Sequence, residues 1–599
     1  MKKNYPFSLI FISLISINSL FAANKDGRIM MYARLSAAQE VPVVNNKAKG
    51  LVTFTLEEDY KTLTIYGVFD SLSGLVTNCH FHTGGFGVNG GVVLNLLPLV
   101  KGNQISGQVT VTKAILAAIN GYGIYINVHT AANPNGEMRG QIFYESDLHF
   151  VSVMTGGGEI PAVSTNALGL GSFILTSLSK LEYKVMVTGL SGPITAANIH
   201  FGNAGKIGSI AYPLTFSGNT LTGFLDVSNT FIDSLYSALT YINVRTAANP
   251  NGEIRAQIGF ATQVAFDAYA TGDNEVPATI STGKSLAVGW MSPELDSMNY
   301  LAIYDGIVPT NAHFHVGVSG VNGVVIYPLA AVSGVNGYMG KVAIKPDTLS
   351  KILRGGMYLN LHTAANPNGE IRGQTFTSVR EGLVANLCGK QEVPTINGTA
   401  FGVGMLSIDR NKTNGHAELL TTGLTSNAIS GHIHLGAKGI VGGIYVNLNI
   451  TGAFSNAASG AFPIARTTLA DTLINGLGYY NVHTTANPNG EIRGQINKTA
   501  QTECLPVGID ELNGEKLSVK VFPNPITDAV NLDFDCNDAF AAQIIVSDLL
   551  GRIILSKKVD ILRGSNQLVL PMGGLNRGIY FIQLRHNNRL LFTEKVVKE

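Results

Sequence analysis

The stretch HTAANPNGEIRGQ, residues 362–374, decides how this chain is read. Nearly the same residues return as HTAANPNGEMRGQ at 129–141 and HTTANPNGEIRGQ at 483–495. A fourth copy, RTAANPNGEIRAQ at 245–257, has arginine in first place. Asn366 can begin an Asx-type turn, Pro367 presets φ, and Asn368 tolerates the next corner. Gly369 then closes a hairpin with a bulge. The return strand starts at Glu370, which shares a face with Arg372 and is spaced to pair with it across strands.

Working outward, the turn glutamates Glu137, Glu253, Glu370 and Glu491 lie 116, 117 and 121 residues apart. A second marker, QEVP or its variants GEIP and NEVP, contributes Glu40, Glu159, Glu275 and Glu392 at spacings of 119, 116 and 117. Two markers with one period define four tandem units, each large enough for its own core. Within a unit the apolar residues alternate (GLVTFTL, KTLTIYGVF, YGIYINVHT), as half-buried strands do. One segment per unit (KAILAAIN, TFIDSLYSAL, PDTLSKILRG, TTLADTLING) has helical spacing, and Pro346 suits a helix start. The expectation is an all-β chain of antiparallel β-sandwich or Greek-key domains, each with one short helix.

The expected boundaries are a signal peptide at residues 1–23, then repeats at 24–146, 147–262, 263–379 and 380–500. A linker at 501–516 and a small C-terminal β-sandwich domain at 517–599 follow. The signal peptide rests on Lys2 and Lys3, the apolar run from Phe7 to Ile17, and small residues Ala22 and Ala23. No later stretch reads as a membrane-spanning helix. Lys plus Arg is 41 and Asp plus Glu is 40, a balance that excludes a nucleic-acid footprint. Four cysteines are too few for a disulfide scaffold. Cys388 and Cys504 flank the fourth repeat, so a bridge between them would staple it, with Cys504–Cys536 as the alternative. A loop of roughly a hundred residues closed this way contributes about 4–5 kcal/mol in the chain-entropy account.

QEVP, HFH at residues 80–82 and YINVHTAANPNGEMRGQ together resemble the CHRD domain, named for chordin. The resemblance covers residues 27–500 and implies secreted β domains. Chordin's antagonism of growth-factor ligands is not implied, because no cysteine-rich ligand-binding modules are present. The tail motifs VFPNP, SDLLGRI and GIYFIQL resemble the C-terminal sorting domain of the type IX secretion system. That resemblance implies contact with the type IX machinery and export to the cell surface or beyond.

Histidines form the one constellation of chemistry-bearing residues. Repeat 1 has His80, His82 and His129, repeat 3 has His313, His315 and His362, and repeat 4 has His432, His434 and His483. An H-x-H on a strand puts both rings on one face. A third histidine about fifty residues on joins them if the strands are neighbours. Three imidazoles suit zinc or copper, with Glu137, Glu370 and Glu491 across the hairpin as ligands or outer partners. The competing reading is a polar cluster bonded to nearby backbone. Repeat 2 has Asn198, His200 and Arg245 at these places but keeps its turn, so two of the three histidines are missing together, which suggests that they act as a set. His149, His416 and His586 read as plain surface or core residues. Function is then either a non-enzymatic binding or adhesion array for an extracellular protein or glycan, or a zinc- or copper-binding protein. The sharper form of the second is dismutase-like redox activity, since the H-x-H on a Greek-key strand is similar to that of copper–zinc superoxide dismutase.

Overall fold

The computed structural model describes residues 27–450, 457–499, 504, 519–536, 539–548, 553–586 and 589–599. The expected signal peptide and all of the linker but Cys504 lie outside the described residues. Two compact units divide the chain, Met1–Cys504 and Leu505–Glu599.

In repeat 1 the strands are β1 (Ile29–Ser36), β2 (Lys49–Leu56), β3 (Thr62–Asp70), β4 (Val76–Thr83), β5 (Val92–Asn95), β6 (Val100–Lys101), β7 (Gln104–Thr110), β8 (Ile124–Thr130) and β9 (Met138–Gln141). They form one antiparallel sheet in the order β5-β4-β8-β9-β1-β2-β3-β7-β6. After the β1-β2-β3 meander the chain crosses to the far side to lay β4 beside β8, so the sheet closes over a core that includes Phe54, Ile65, Phe81 and Ile126. Helix α1 (Lys113–Asn120) links β7 to β8, and its first turn is capped by the Thr112 side chain, which accepts from Ile115 N–H. Repeat 2 has the same order, repeats 3 and 4 have it without a β6 counterpart among the described residues, and each has a helix at the expected place, Asn229–Tyr236, Pro346–Leu353 and Thr467–Ile474. The C-terminal unit is a second all-β body, a three-stranded and a four-stranded sheet around Val530, Ile544, Val546 and Ile582.

The repeats are not beads. The β2 counterparts of repeats 2, 3 and 4 are buried along almost their whole length (Leu168–Leu175, Lys284–Met291, Phe401–Ile408). One face covers the repeat's own core and the other meets a neighbour. Leu170 and Met186 of repeat 2 pack on Leu286, Val288 and Ile303 of repeat 3. Leu51 and Val68 of repeat 1 pack on Val403 and Leu420 of repeat 4. At about 1.5–3 kcal/mol for each buried aliphatic side chain, these faces hold the repeats together. The arrangement is reciprocal, since Thr188 donates to Asp305 as Thr422 donates to Asp70. The segments joining repeats 1 to 2 and 3 to 4 pair antiparallel through Ser146 and Val379.

Buried charges close the junctions. Arg410 of repeat 4 reaches Asp267 of repeat 3 at 3.1 Å and Glu182 of repeat 2 at 3.0 Å. Arg380, 2 % exposed, binds Asp147 at 2.7 Å and lies beside Glu145. His416 bridges Glu145 (3.1 Å) and Glu418 (3.0 Å), and Arg34 joins Glu418 from repeat 1. His149 is fully buried and bonded to Ser172 Oγ at 2.8 Å. His416 is therefore an ion-pair partner between repeats, not a plain residue. The side chain of His586 lies outside the described residues.

Burial works against the His416 charge, but Glu145 and Glu418 outweigh it and push its pKa up to about 9. A raised histidine contributes fully below its unfolded value near 6.5 and is lost as pH rises through the folded one. Urea melts of the wild type and His416→Gln should therefore differ most below pH 6.5. The difference, on the order of 1–3 kcal/mol, should shrink steadily toward pH 9.

Candidate metal centre

Register places the histidines. On β4 and β8 the cross-strand pairs are Asn78–His129, His80–Asn127 and His82–Tyr125. All six therefore share one face, while Cys79 and Phe81 point into the core. His80, His82 and His129 offer ligand atoms that all lie within 4.8 Å of one another, as do His313, His315 and His362, and His432, His434 and His483.

Each set is held from behind. His82 Nδ1–H donates to Gly90 O at 3.0 Å, and His129 Nδ1–H to Pro134 O at 3.1 Å. The carbonyl acceptors fix the tautomer, so each Nε2 carries a free lone pair. Those Nε2 atoms, together with His80 Nδ1, are buried and without a hydrogen-bond partner. Repeat 3 repeats this atom for atom, with His315 on Gly323 O, His362 on Pro367 O, and His313 Nδ1, His315 Nε2 and His362 Nε2 unpartnered. In repeat 4 His434 and His483 bond Gly442 O and Pro488 O, and His432 Nδ1 lies 3.1 Å from His483 Nε2. Burial lowers the pKa of His80, His129, His313, His315, His362 and His434, and of His432 to about 4, the neighbouring imidazoles adding to it for all but His362. Neutral rings are what a metal requires.

The turn and the histidine are thus coupled, since the proline carbonyl of NPNG orients the ring that precedes it. Glu137 takes no part in this. Its carboxylate accepts from Ser73 N–H (2.6 Å), Ser73 Oγ (2.7 Å) and Thr130 Oγ1, and clamps the β3–β4 connection to the turn. Glu370 is held by Thr363 and Ser281, and Glu491 by Thr425 and Thr484. Arg372 does not reach Glu370. It donates to Val321 O at 2.8 Å and lies 3.5 Å above the Tyr358 ring, which stacks on His315. The same His–Tyr–Arg stack occurs in every repeat, as His82–Tyr125–Arg139, His200–Tyr241–Arg255 and His434–Tyr479–Arg493. Sequence reading missed these struts, although Tyr and Arg recur at fixed places in YINVHT and GEIRGQ.

The QEVP glutamate was a spacing marker in sequence; in the structure it is a buried carboxyl. Burial pushes Glu40, Glu159 and Glu392 up to about 7 against the pull of Arg139, Arg255 and Arg493. It sits beneath the turn glycine. A Cβ on Gly369, whose φ is +133°, would come within 2.5 Å of Glu275 Oε1 and 2.7 Å of Asn360. Gly369→Ala should therefore cost about 1–3 kcal/mol in a denaturant melt, from positive φ and the close approach together.

Repeat 2 keeps the frame without the set. His200 still donates to Gly208 O at 3.0 Å, but Arg245 turns its Nε to Asn243 Oδ1 at 3.1 Å. Cys388 and Cys504 are joined, whereas Cys79 is a buried free thiol and Cys536 a half-buried one.

Four successive stretches, residues 31–142, 150–258, 266–375 and 383–496, match the CHRD domain. The chain belongs to the CHRD domain family. Residues 520–599 match the secretion system C-terminal sorting domain. Chordin of Danio rerio is 30 % identical over 188 residues, 29 % of this chain and 20 % of that protein. Chordin of Xenopus laevis is 29 % identical over 248 residues, covering 37 % and 26 %. The matched region thus spans about a quarter or less of these relatives. Among solved structures, elastase-activated alpha-2-macroglobulin of Escherichia coli aligns over 92 % of this chain and 52 % of its own. Its TM-score is 0.15 and its identity 9 %, too low to carry any argument. CHRD repeats followed by a type IX sorting tail make this an exported multi-domain protein of the cell surface or extracellular space. Among the described residues no helix is long and apolar enough to cross a membrane.

Proposed function

We propose that CHRD repeats 1, 3 and 4 each bind one zinc or copper ion through three histidine nitrogens, so that the exported protein carries three. The observation behind this is the inward set of lone pairs, His80 Nδ1, His82 Nε2 and His129 Nε2. They are buried and unpartnered, and two of the rings are held by backbone carbonyls on their far side. A buried acceptor left without a partner costs free energy that a cation would recover. Metal–nitrogen bonds of about 2.0–2.1 Å put ligand atoms roughly 3.4 Å apart, so the widest pairs, within 4.8 Å here, would close by at most about 1.4 Å on binding. An all-nitrogen shell favours zinc or copper over calcium or magnesium. Three protein ligands leave a coordination position for water or a substrate, which is the opening a redox or hydrolytic role would use.

Metal analysis of the purified full chain by mass spectrometry tests this. Three ions per chain are expected, and two after His362→Ala. Fewer than one ion per chain at micromolar free zinc or copper defeats the proposal.

A second reading, a binding or adhesion array, draws on the segments that follow β4 and its counterparts in the other repeats. They expose Phe86 and Val88, Ile207 and Ile210, Val321 and Val324, and Ile440 and Val441. Packed repeats present such loops at fixed spacing, which favours avidity toward a repetitive protein or glycan ligand.

A further inference from the structure

Six residues after the QEVP glutamate, repeats 1 to 3 carry Asn46, Thr165 and Ser281, each of which donates to its turn glutamate. The bonds are Asn46 Nδ2 to Glu137 Oε1 (3.1 Å), Thr165 Oγ1 to Glu253 Oε1 (2.9 Å) and Ser281 Oγ to Glu370 Oε1 (2.7 Å). The same three side chains accept from the amide two residues on, Ala48, Ala167 and Gly283. In repeat 4 the place belongs to Gly398. A Cβ built there meets nothing within 4 Å, and a cavity of about 290 Å³ opens in its stead.

Ile396, Ala400, Ala486 and Ile492 give this cavity apolar walls, and Thr425 and Glu491 give it polar ones. Glu491 is 1 % exposed. Its Oε2 accepts from Thr425 Oγ1 at 2.8 Å and Thr484 Oγ1 at 2.6 Å, and its Oε1 from Thr425 N–H at 2.7 Å. Oε1 lacks the side-chain donor that its three counterparts have. The carboxylate faces a space near the small end of ligand pockets, roughly 300–1,000 Å³.

What fills that space in the other repeats states the chemistry wanted. Two of the three plugs are hydroxyls that donate to the carboxylate and accept from a backbone amide. We propose that the repeat 4 cavity binds a hydroxyl-bearing small molecule, a polyol or a sugar, through one O–H. That O–H donates to Glu491 Oε1 and accepts from Ala400 N–H, while the carbon skeleton lies against Ile396 and Ile492. The pocket is separate from the histidine set, and its occupancy does not depend on metal.

Full-length protein labelled at isoleucine and alanine methyls, titrated with glycerol, 2-propanol, glucose and galactose, tests this by nuclear magnetic resonance. Saturable shifts of Ile396, Ile492, Ala400 and Ala486 methyls are expected. Saturation by sugars alone assigns the site to glycans, and saturation by all four probes to hydroxyls in general. Gly398→Ser, which supplies the missing hydroxyl, should abolish the shifts. The reciprocal Ser281→Gly should create a second responsive site, seen at the Ile371 methyl. No saturable shift with any probe, or shifts that survive Gly398→Ser in a protein whose remaining methyl spectrum is unchanged, overturns the proposal.

Discussion

Arg410→Met should destabilise the four-repeat unit by about 3–5 kcal/mol, the range for removing one partner of a buried ion pair. Arg410 is 4 % exposed along its side chain, and both of its carboxylate partners are nearly as buried. Without the guanidinium, Asp267 and Glu182 keep Lys184 as their shared cation, at 3.3 and 3.2 Å, with only the neutral donors Ser172 Oγ and Asn411 Nδ2 beside it among the described residues. Two carboxylates facing one ammonium in a dry junction cannot both stay ionised cheaply. The pH dependence identifies the cause. Burial raises the Glu182 and Asp267 carboxyls, but Arg410 and Lys184 outweigh it and hold both below the usual range, Glu182 at about 2. Groups lowered in this way contribute stability above their unfolded values near 4, and lose it as pH falls toward 2. The gap between Arg410→Met and wild type in urea melts should therefore be full at pH 6 and narrow below pH 4. A gap of constant size would mean that lost packing, not lost charge, is responsible.

Metal loading should be nearly as large in effect. A ligand that binds only the folded state at a thousandfold excess over Kd stabilises by about 4 kcal/mol. Stripping the protein with a chelator should thus lower its melting temperature, and zinc or copper should restore it. His82→Ala should remove one ion and leave the other two. Asn198→His combined with Arg245→His should add a fourth ion to repeat 2, because His200 is already oriented there by Gly208 O. That gain of function is the more severe test, since no damaged fold could imitate it.

The sequence carried the period, the turns and the strand alternation, because each is a local property. It also carried the convergence of three imidazoles, which needs only H-x-H on one face and a neighbouring strand. What it withheld were contacts between distant places. Arg410 lies 143 residues from Asp267 and 228 from Glu182, and no local pattern marks it as their partner. His416 passed for an ordinary residue because Glu145 arrives from another repeat, while Glu418, two residues along its own strand, marks nothing by itself. A cross-strand pair of Glu370 with Arg372 was reasonable by spacing, but Tyr358 offers the guanidinium a flat face while Thr363 and Ser281 already satisfy the carboxylate. One clue to the docking was present in sequence. Strands such as GLVTFTL and LGLGSFIL have more apolar or small residues than a half-solvated strand needs.

The reciprocal junction has a consequence for descent. Repeat 1 meets repeat 4 as repeat 3 meets repeat 2, and the joining segments pair with each other at Ser146 and Val379. The four repeats are two equivalent halves joined in one chain, as a dimer of two-repeat polypeptides would be after its gene was doubled. A single added repeat would expose an apolar sheet face with no mate. The equivalence stops at the histidines, since repeat 2 has one of the three and its counterpart, repeat 4, has them all.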